Sequence, residues 1–212
     1  LLSLSLAVSM GCADGPAKDT AVAAAIEPLD LPVDPAESGV PVGFRTFERG
    51  GIPFSVWYPA PESIADQHGE PINMNQFVPD SVLAVVGDDL LPALSHSAIQ
   101  DAPIRNVGSR LPVVVFSHGL GGSRFQSLDY VTHLASRGYV VVASDHPGRM
   151  LAQLLPCVFS PPLDGCDLSG FSPDPALEQL PAVLDALDEM AAEGDFADIL
   201  DMDTLGMSGH SA

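Results

Sequence analysis

A serine flanked by small residues, Ser211, is the strongest candidate for a nucleophile in this sequence. Gly209-His210-Ser211-Ala212 matches the first four positions of G-x-S-x-G, a motif that places a serine on a sharp turn between a strand and a helix. That turn strains the serine backbone, and small neighbours prevent clashes. Residues 204–207 just before it are predicted to form a buried strand, so the motif stands where such a turn requires it.

A glycine-rich run, Ser117-His118-Gly119-Leu120-Gly121-Gly122, offers the second half of such a site. It follows a predicted buried strand over 111–116. In hydrolases with the serine turn, this loop gives one backbone N–H to the oxyanion hole and the residue after the nucleophile gives another. We assign these donors to Leu120 and Ala212. The alternative is that the glycines only form a tight turn. The supporting residues of the two motifs are His118, Gly119, Gly121, Gly122, Gly209 and His210.

The partners of the serine are expected beyond Ala212, because an acidic residue and then a histidine follow the serine along the chain in this class. None of the six histidines is expected to be the base. His210 should point away from Ser211, and His118 is interpreted as a structural hydrogen-bonding residue. Asp145, after the predicted strand at 139–143, is expected to be solvated at the surface, with a place at the mouth of the pocket as the alternative. The acidic run from Asp195 to Asp203 is interpreted as a solvated lead-in to a strand, and we expect no metal and no cofactor.

The elements predicted around these motifs alternate between strands and helices. Two strands within 42–57 flank a Gly50-Gly51 hairpin turn. Apolar periodicity then predicts a helix in 81–94, a strand at 111–116, a helix over 124–137 ended by Gly138, a strand at 139–143, a long cysteine-bearing loop, a helix opened by Pro181 and ended by Gly194, and a strand at 204–207. This order predicts an α/β fold with a mostly parallel sheet and helices on both faces.

The sequence before the predicted domain indicates export. Residues 1–12 resemble the end of a signal peptide, with Cys12 placed as in a lipoprotein cleavage site, although Ser9 stands where leucine is usual. An ordinary secretory signal is the alternative. Residues 13–40 are predicted to be a flexible tether, and residues 41–212 the N-terminal part of the domain. We expect a cell-envelope or secreted protein, with membrane anchoring if Cys12 is lipidated.

The charge of the chain argues against one class of partner, and its cysteines fit an exported protein. Asp and Glu number 28 against 8 Lys and Arg, a net charge of −20, which argues against a nucleic-acid partner. Cys157 and Cys166 are predicted to form a disulfide in an oxidising compartment, with two free thiols as the alternative. No C-x-x-C spacing indicates a metal site.

Five stretches of residues 42–212 resemble the predicted dienelactone hydrolases related to platelet-activating-factor acetylhydrolases. They are VVVFSHGLGGSR, HLASRGYVVVASDHPG, LDMDTLGMSGHSA, FSVWYPA and HSAIQDAPI. The resemblance implies the α/β-hydrolase fold, truncated here after the nucleophile turn. It also implies Ser211 as nucleophile, Leu120 and Ala212 as oxyanion donors, and cleavage of carboxylic esters, including short-acyl lipid esters. True dienelactone hydrolases use cysteine, so a lactone substrate is not implied.

Two other functions remain open on the residues alone. A lipase, a cutinase-like enzyme or a peptidase could share this fold, because substrate choice depends on loops rather than on the fold. A surface lipoprotein that kept the fold without its catalytic residues could act as a binding module. An acidic residue followed by a histidine downstream of Ser211 would favour the enzyme.

Overall fold

The structure, a computed structural model, describes residues 25, 27, 29, 39–159 and 174–211, with the backbone alone at 156–159 and 174–175. Six strands of these residues form one mixed sheet in the order β3-β1-β2-β5-β4-β6. The strands are β1 Val42–Arg49, β2 Ile52–Pro59, β3 Ile99–Gln100, β4 Leu111–Ser117, β5 Val140–Ser144 and β6 Leu200–Gly209. The helices are α1 Asp80–Val86, α2 Leu128–Ser136, α3 Leu151–Phe159 and α4 Asp174–Ala192.

The predicted hairpin is confirmed. Strands β1 and β2 pair antiparallel from Val42 opposite Pro59 to Arg49 opposite Ile52. Gly50 and Gly51 connect them at φ values of 58° and 78°. Two successive positive φ angles match the right-handed twist of paired strands, and glycine adopts them without steric cost. Strand β2 then pairs antiparallel with β5, which joins the hairpin to the rest of the sheet.

Strands β5, β4 and β6 run parallel, as the alternation of strands and helices predicts. All five residues of β5 are buried because helices cover both faces there. The expectation that residues 204–207 form a buried strand is wrong in one respect. They lie in β6, but Leu205 and Met207 are exposed because, among the described strands, β6 pairs with β4 alone.

Two apolar clusters cover the two faces of the sheet, so the α/β architecture is confirmed. On one face, the buried side of α2 packs against β1, β2 and β5. On the other face, α4 packs against β2, β4 and β5. The central residues of the first cluster are Phe44, Trp57, Phe125, Leu128, Val131 and Val141. Those of the second are Val56, Val113, Val142, Val183, Leu187 and Phe196.

Three helix predictions need correction. Helix α1 ends at Val86 rather than near residue 94, because Gly87 at φ 94° breaks it. Helix α2 begins at Leu128 rather than at residue 124, although Gly138 follows it as predicted. Helix α4 begins at Asp174 and contains Pro181, which does not open it. Proline removes one intrahelical hydrogen bond, and burial of Val183 and Leu187 offsets that cost.

The cysteine-bearing segment and the N-terminal segment are described only in part. Cys157 lies in α3 rather than in a loop, whereas its side chain, Cys166 and Cys12 lie outside the described residues. Glu27, in the predicted tether, donates its N–H to the Asn106 carbonyl at 2.7 Å. The tether is therefore held against the domain at this point. Of the helices that the structure describes, none has the length and apolar character needed to cross a membrane.

Candidate active site

The predicted nucleophile stands on a strained turn at the end of β6. Gly209, the last residue of β6, pairs with Ser117 at the end of β4. The His210 N–H donates to the Ser117 carbonyl at 3.0 Å, which fixes the chain as it leaves the sheet. Ser211 follows at φ 48°, a left-handed conformation that is costly for a serine, and it is exposed. A strained, exposed serine at the carboxyl edge of a parallel sheet is the geometry that the G-x-S-x-G motif requires.

The glycine-rich loop after β4 lies directly against this turn. A Cβ built on Gly119 would lie 2.7 Å from the His210 carbonyl oxygen and 3.0 Å from Ser211 Cβ. Real Cβ atoms do not approach so closely, so position 119 has no space for a side chain. Gly121 has φ 73°. A Cβ on Gly122 would lie 2.6 Å from Gln126 Oε1. The glycines therefore form a tight turn and also bring the loop to the serine.

The backbone amides of this loop are not equivalent. Gly119 N–H donates to Gln126 Oε1 at 2.7 Å, and Gly121 N–H donates to the Arg149 carbonyl at 2.7 Å. Gly122 N–H donates to the Gly119 carbonyl at 3.1 Å. Within the described part of the chain, the Leu120 N–H has no hydrogen-bond acceptor, and its side chain is 46% exposed. The structure thus leaves one donor of the loop available, at the residue predicted to be an oxyanion donor. Ala212 lies outside the described residues.

A second serine–histidine pair adjoins the turn and was not anticipated from the sequence. Ser117 Oγ lies 2.8 Å from His146 Nε2. The His146 ring contacts the His118 ring in a tilted arrangement, with centroids 4.5 Å apart and an interplanar angle of 32°, and the His146 backbone N–H donates to His118 Nε2 at 3.0 Å. Ser117 and Ser144 pair at the ends of adjacent parallel strands, in a register that sequence order alone does not determine. The residues that follow them must therefore meet.

Both of these contacting histidines are buried and stay neutral near pH 7. Burial, followed by the neighbouring His118 and Arg149, lowers the pKa of His146 to about 4 in total, against a smaller opposing effect of Gln179. Burial also lowers the pKa of His118, against the opposing effect of its hydrogen bond to the Gly119 carbonyl. The interpretation of His118 as a structural hydrogen-bonding residue agrees with this geometry. A base with a pKa of about 4 is weak, so His146 is poorly suited to activate Ser117 as a second nucleophile.

Asp145 is not solvated, contrary to the expectation. Its side chain is 2% exposed and forms an ion pair with Arg124. Asp145 Oδ1 also accepts the Arg124 backbone N–H at 2.7 Å. The guanidinium group lies over the Phe125 ring, 4.6 Å from its centroid. This pair connects the residue after β5 to the turn before α2, close to the glycine-rich loop in the chain.

Cavities near the serine are small in the described part of the chain. A pocket of about 50 Å³ is lined by Ser117, His146, Leu177 and Met207, among others. A larger cavity of about 620 Å³ lies between residues 39–42, His96 and α2, and none of the motif residues lines it. The larger cavity therefore lies apart from the glycine-rich loop and the turn that carries Ser211. Asp195 of the acidic run pairs with Arg45 at 2.7 Å, and no three potential metal ligands cluster among the described side chains.

Comparison with known proteins agrees with this geometry. Residues 52–153 match the sequence model of the family "Platelet-activating factor acetylhydrolase, isoform II". Among solved structures, a ferulic acid esterase from Streptomyces cinnamoneus aligns with a TM-score of 0.50 and 26% identity. The chain has the α/β-hydrolase fold. The resemblance inferred from the sequence motifs is thereby confirmed.

The two similarities extend over different parts of the chain. The alignment with the esterase covers 84% of this chain and 54% of that chain, so this hydrolase-fold chain spans about half of the esterase's length. The family match runs from β2 to α3 and contains the loop of Gly119 and Leu120. Ser211 lies beyond the matched residues, and its assignment depends on the turn geometry described above.

Proposed function

We propose that this chain belongs to a serine carboxylic-ester hydrolase that works through an acyl-enzyme on Ser211. The observation that carries the proposal is the placement of Ser211, exposed at φ 48° directly after a parallel strand, with Gly119 packed against it. A serine held in this strained turn presents its hydroxyl to substrate and away from the sheet. The names of the matching acetylhydrolase family and of the ferulic acid esterase both denote the cleavage of carboxylic esters, which supports this reaction class.

The oxyanion hole of the proposal consists of the Leu120 and Ala212 N–H groups. Its support is the Leu120 N–H, which stands between two paired glycine amides and has no acceptor within the described part of the chain. A donor already held by the protein could not stabilise the negative charge that develops on the substrate oxygen. Loss of one such donor typically costs about 3 kcal/mol of transition-state stabilisation.

The proposed base and its acidic partner lie after Ala212, in the chain order of this class. Among the described side chains, none is hydrogen-bonded to the Ser211 hydroxyl, and both His118 and His146 have other partners. The base removes the Ser211 proton as Oγ attacks the ester carbonyl, and the alcohol leaves with that proton. Water then adds to the acyl-enzyme, the acid is released and the serine regains its proton. The reaction balances with water as the only co-reactant.

For the substrate we propose a short-acyl ester, including acyl esters of glycerophospholipids of the 1-alkyl-2-acetyl type. The family match supports this class, whereas the structural neighbour favours an aromatic acyl group. Hydrolysis of p-nitrophenyl acetate compared with that of a feruloyl ester separates the two. Export, lipidation of Cys12 and a Cys157–Cys166 disulfide are also proposed, on the sequence features given above.

The test is active-site labelling of the full-length protein with a fluorophosphonate probe, combined with peptide mapping. Wild type should be labelled at Ser211 and should hydrolyse p-nitrophenyl esters, and Ser211→Ala should lose both properties. Ser208→Ala, three residues earlier on β6, is the matched control and should keep them. Absence of label with only background hydrolysis would overturn the proposal and favour a non-catalytic binding module.

A further inference from the structure

The Gly119–Leu120 peptide determines where the proposed oxyanion donor points. In a trans peptide, the carbonyl of one residue and the N–H of the next lie in one plane and point in opposite directions. Any group that fixes the Gly119 carbonyl therefore also fixes the direction of the Leu120 N–H. Two groups do so, the Gly122 N–H at 3.1 Å and the His118 Nδ1 at 2.7 Å.

The tautomer of His118 is determined by its other contact. His118 Nε2 accepts the His146 backbone N–H at 3.0 Å, so Nε2 carries no proton in the neutral ring. The proton then resides on Nδ1, which donates to the Gly119 carbonyl. His118 is 2% exposed and lies under the loop. Its tautomer and ring orientation are thus set by the protein rather than by solvent.

His146, which follows the neighbouring strand β5, also holds the His118 ring in place. Its ring packs against the His118 ring in a tilted contact, with centroids 4.5 Å apart, and its Nε2 is hydrogen-bonded to Ser117 Oγ at 2.8 Å. Ser117 in turn accepts the His210 N–H through its carbonyl at 3.0 Å. One residue, Ser117, therefore connects His146 both to the turn that carries Ser211 and to the loop that carries Leu120.

We propose that His146, through Ser117 and His118, is a positioning residue that aligns the Leu120 N–H with Ser211. The inference rests on the proposed function, since it assigns a role within that active site. His146 touches no reacting atom, and its role is to keep the loop and the nucleophile turn in register. An oxyanion donor acts chiefly in the transition state, so its misalignment lowers kcat with little effect on KM.

The test uses the full-length protein with Ser117→Ala, His146→Leu and His146→Gln. Gln can place an amide nitrogen near the position of His146 Nε2 and so keep the bond to Ser117. We expect kcat per labelled Ser211 to fall at least about ten-fold in Ser117→Ala and His146→Leu, up to the roughly 10²–10³-fold loss of a whole donor. KM should stay within about two-fold, and His146→Gln should recover much of kcat. His133→Leu, at an exposed histidine of α2, is the control and should be unchanged.

Hydrogen exchange of the bonded amides of Gly119, Gly121 and Gly122 gives a readout that does not depend on activity. Exchange should accelerate in Ser117→Ala and His146→Leu and stay slow in His133→Leu. Unchanged kcat and unchanged exchange in both variants would overturn the inference, as would fluorophosphonate label on Ser117, which would make the pair a second catalytic centre. An unlabelled, inactive wild type whose loop still loosens in these variants would instead overturn the proposed function and, with it, the catalytic purpose of the alignment, while showing that His146 orders the loop.

Discussion

Gly119 lies so close to Ser211 that a Cβ at position 119 would stand 2.8 Å from the Ser211 carbonyl oxygen. The neighbouring atoms are backbone, so they cannot move aside as a flexible side chain would. The glycine-rich loop and the nucleophile turn, 92 residues apart by their numbering, are thus packed as one rigid unit. That packing is what brings the Leu120 amide to the serine.

The first prediction concerns this contact. Gly119→Ala should force the loop and the turn apart, and kcat for p-nitrophenyl acetate should fall on the order of 10²-fold, as displacements near 1 Å do. Gly206→Ala on β6 is the matched control, since its nearest neighbour would lie at 3.9 Å. Equal activity of the two variants in steady-state assays would show that the close contact is not functionally important.

The second prediction concerns acid stability. His146 has a pKa of about 4 when folded and about 6.5 when unfolded, so the unfolded chain binds more protons between these values. The free energy of unfolding should therefore fall as pH drops from 6.5 to 4, by about 3 kcal/mol from this group. The charged or titratable groups that act on His146 are His118 and Arg149, and Asp145 acts on His118.

Urea unfolding at about pH 7, 5.5 and 4 measures this effect. His146→Gln cannot titrate, so its stability should fall less over the same interval than that of wild type. His68→Gln, at an exposed histidine, serves as the control and should behave like wild type. Parallel curves for wild type and His146→Gln would contradict the assigned pKa.

The two motifs of the site could be predicted because each is local in sequence. A strand followed by Gly209-His210-Ser211 specifies its own turn, and the glycine run after β4 specifies another. The His146–Ser117 bond could not be predicted with the same ease. It depends on β4 and β5 being neighbours in register, from Val113 opposite Val140 to Ser117 opposite Ser144. Sequence order alone does not determine that register.

Burial was the other property that local patterns predicted poorly. Asp145 is a carboxylate after a strand, a pattern typical of solvated edges, yet Arg124 reaches it from a different element and makes burial tolerable. The apolar residues Leu205 and Met207 predicted a buried strand, yet they are exposed on β6. In both cases the outcome depends on which elements cover the position, a property of the assembled sheet.

The third prediction concerns the buried ion pair. Asp145→Asn should destabilise the protein by about 3 kcal/mol, because it leaves the Arg124 guanidinium, 11% exposed, without its counter-charge. Glu189→Gln breaks the exposed pair with Arg49, whose side chains are 47% and 57% exposed. That change should cost less than about 1 kcal/mol. Chemical denaturation of both variants at neutral pH makes the comparison, and similar losses in the two would refute it.

The fourth prediction concerns α4, which covers one face of the sheet behind the nucleophile strand. Leu187 is fully buried there against the cluster of Val113 and Val142, whereas Leu177 on the same helix is 65% exposed. Leu187→Ala should lower the free energy of unfolding by about 2–5 kcal/mol, through lost apolar burial and a residual cavity. Leu177→Ala should change it by less than about 0.5 kcal/mol. Thermal and urea unfolding of the two variants would test whether α4 is docked as described, since a loosely held helix would give both leucines the same small effect.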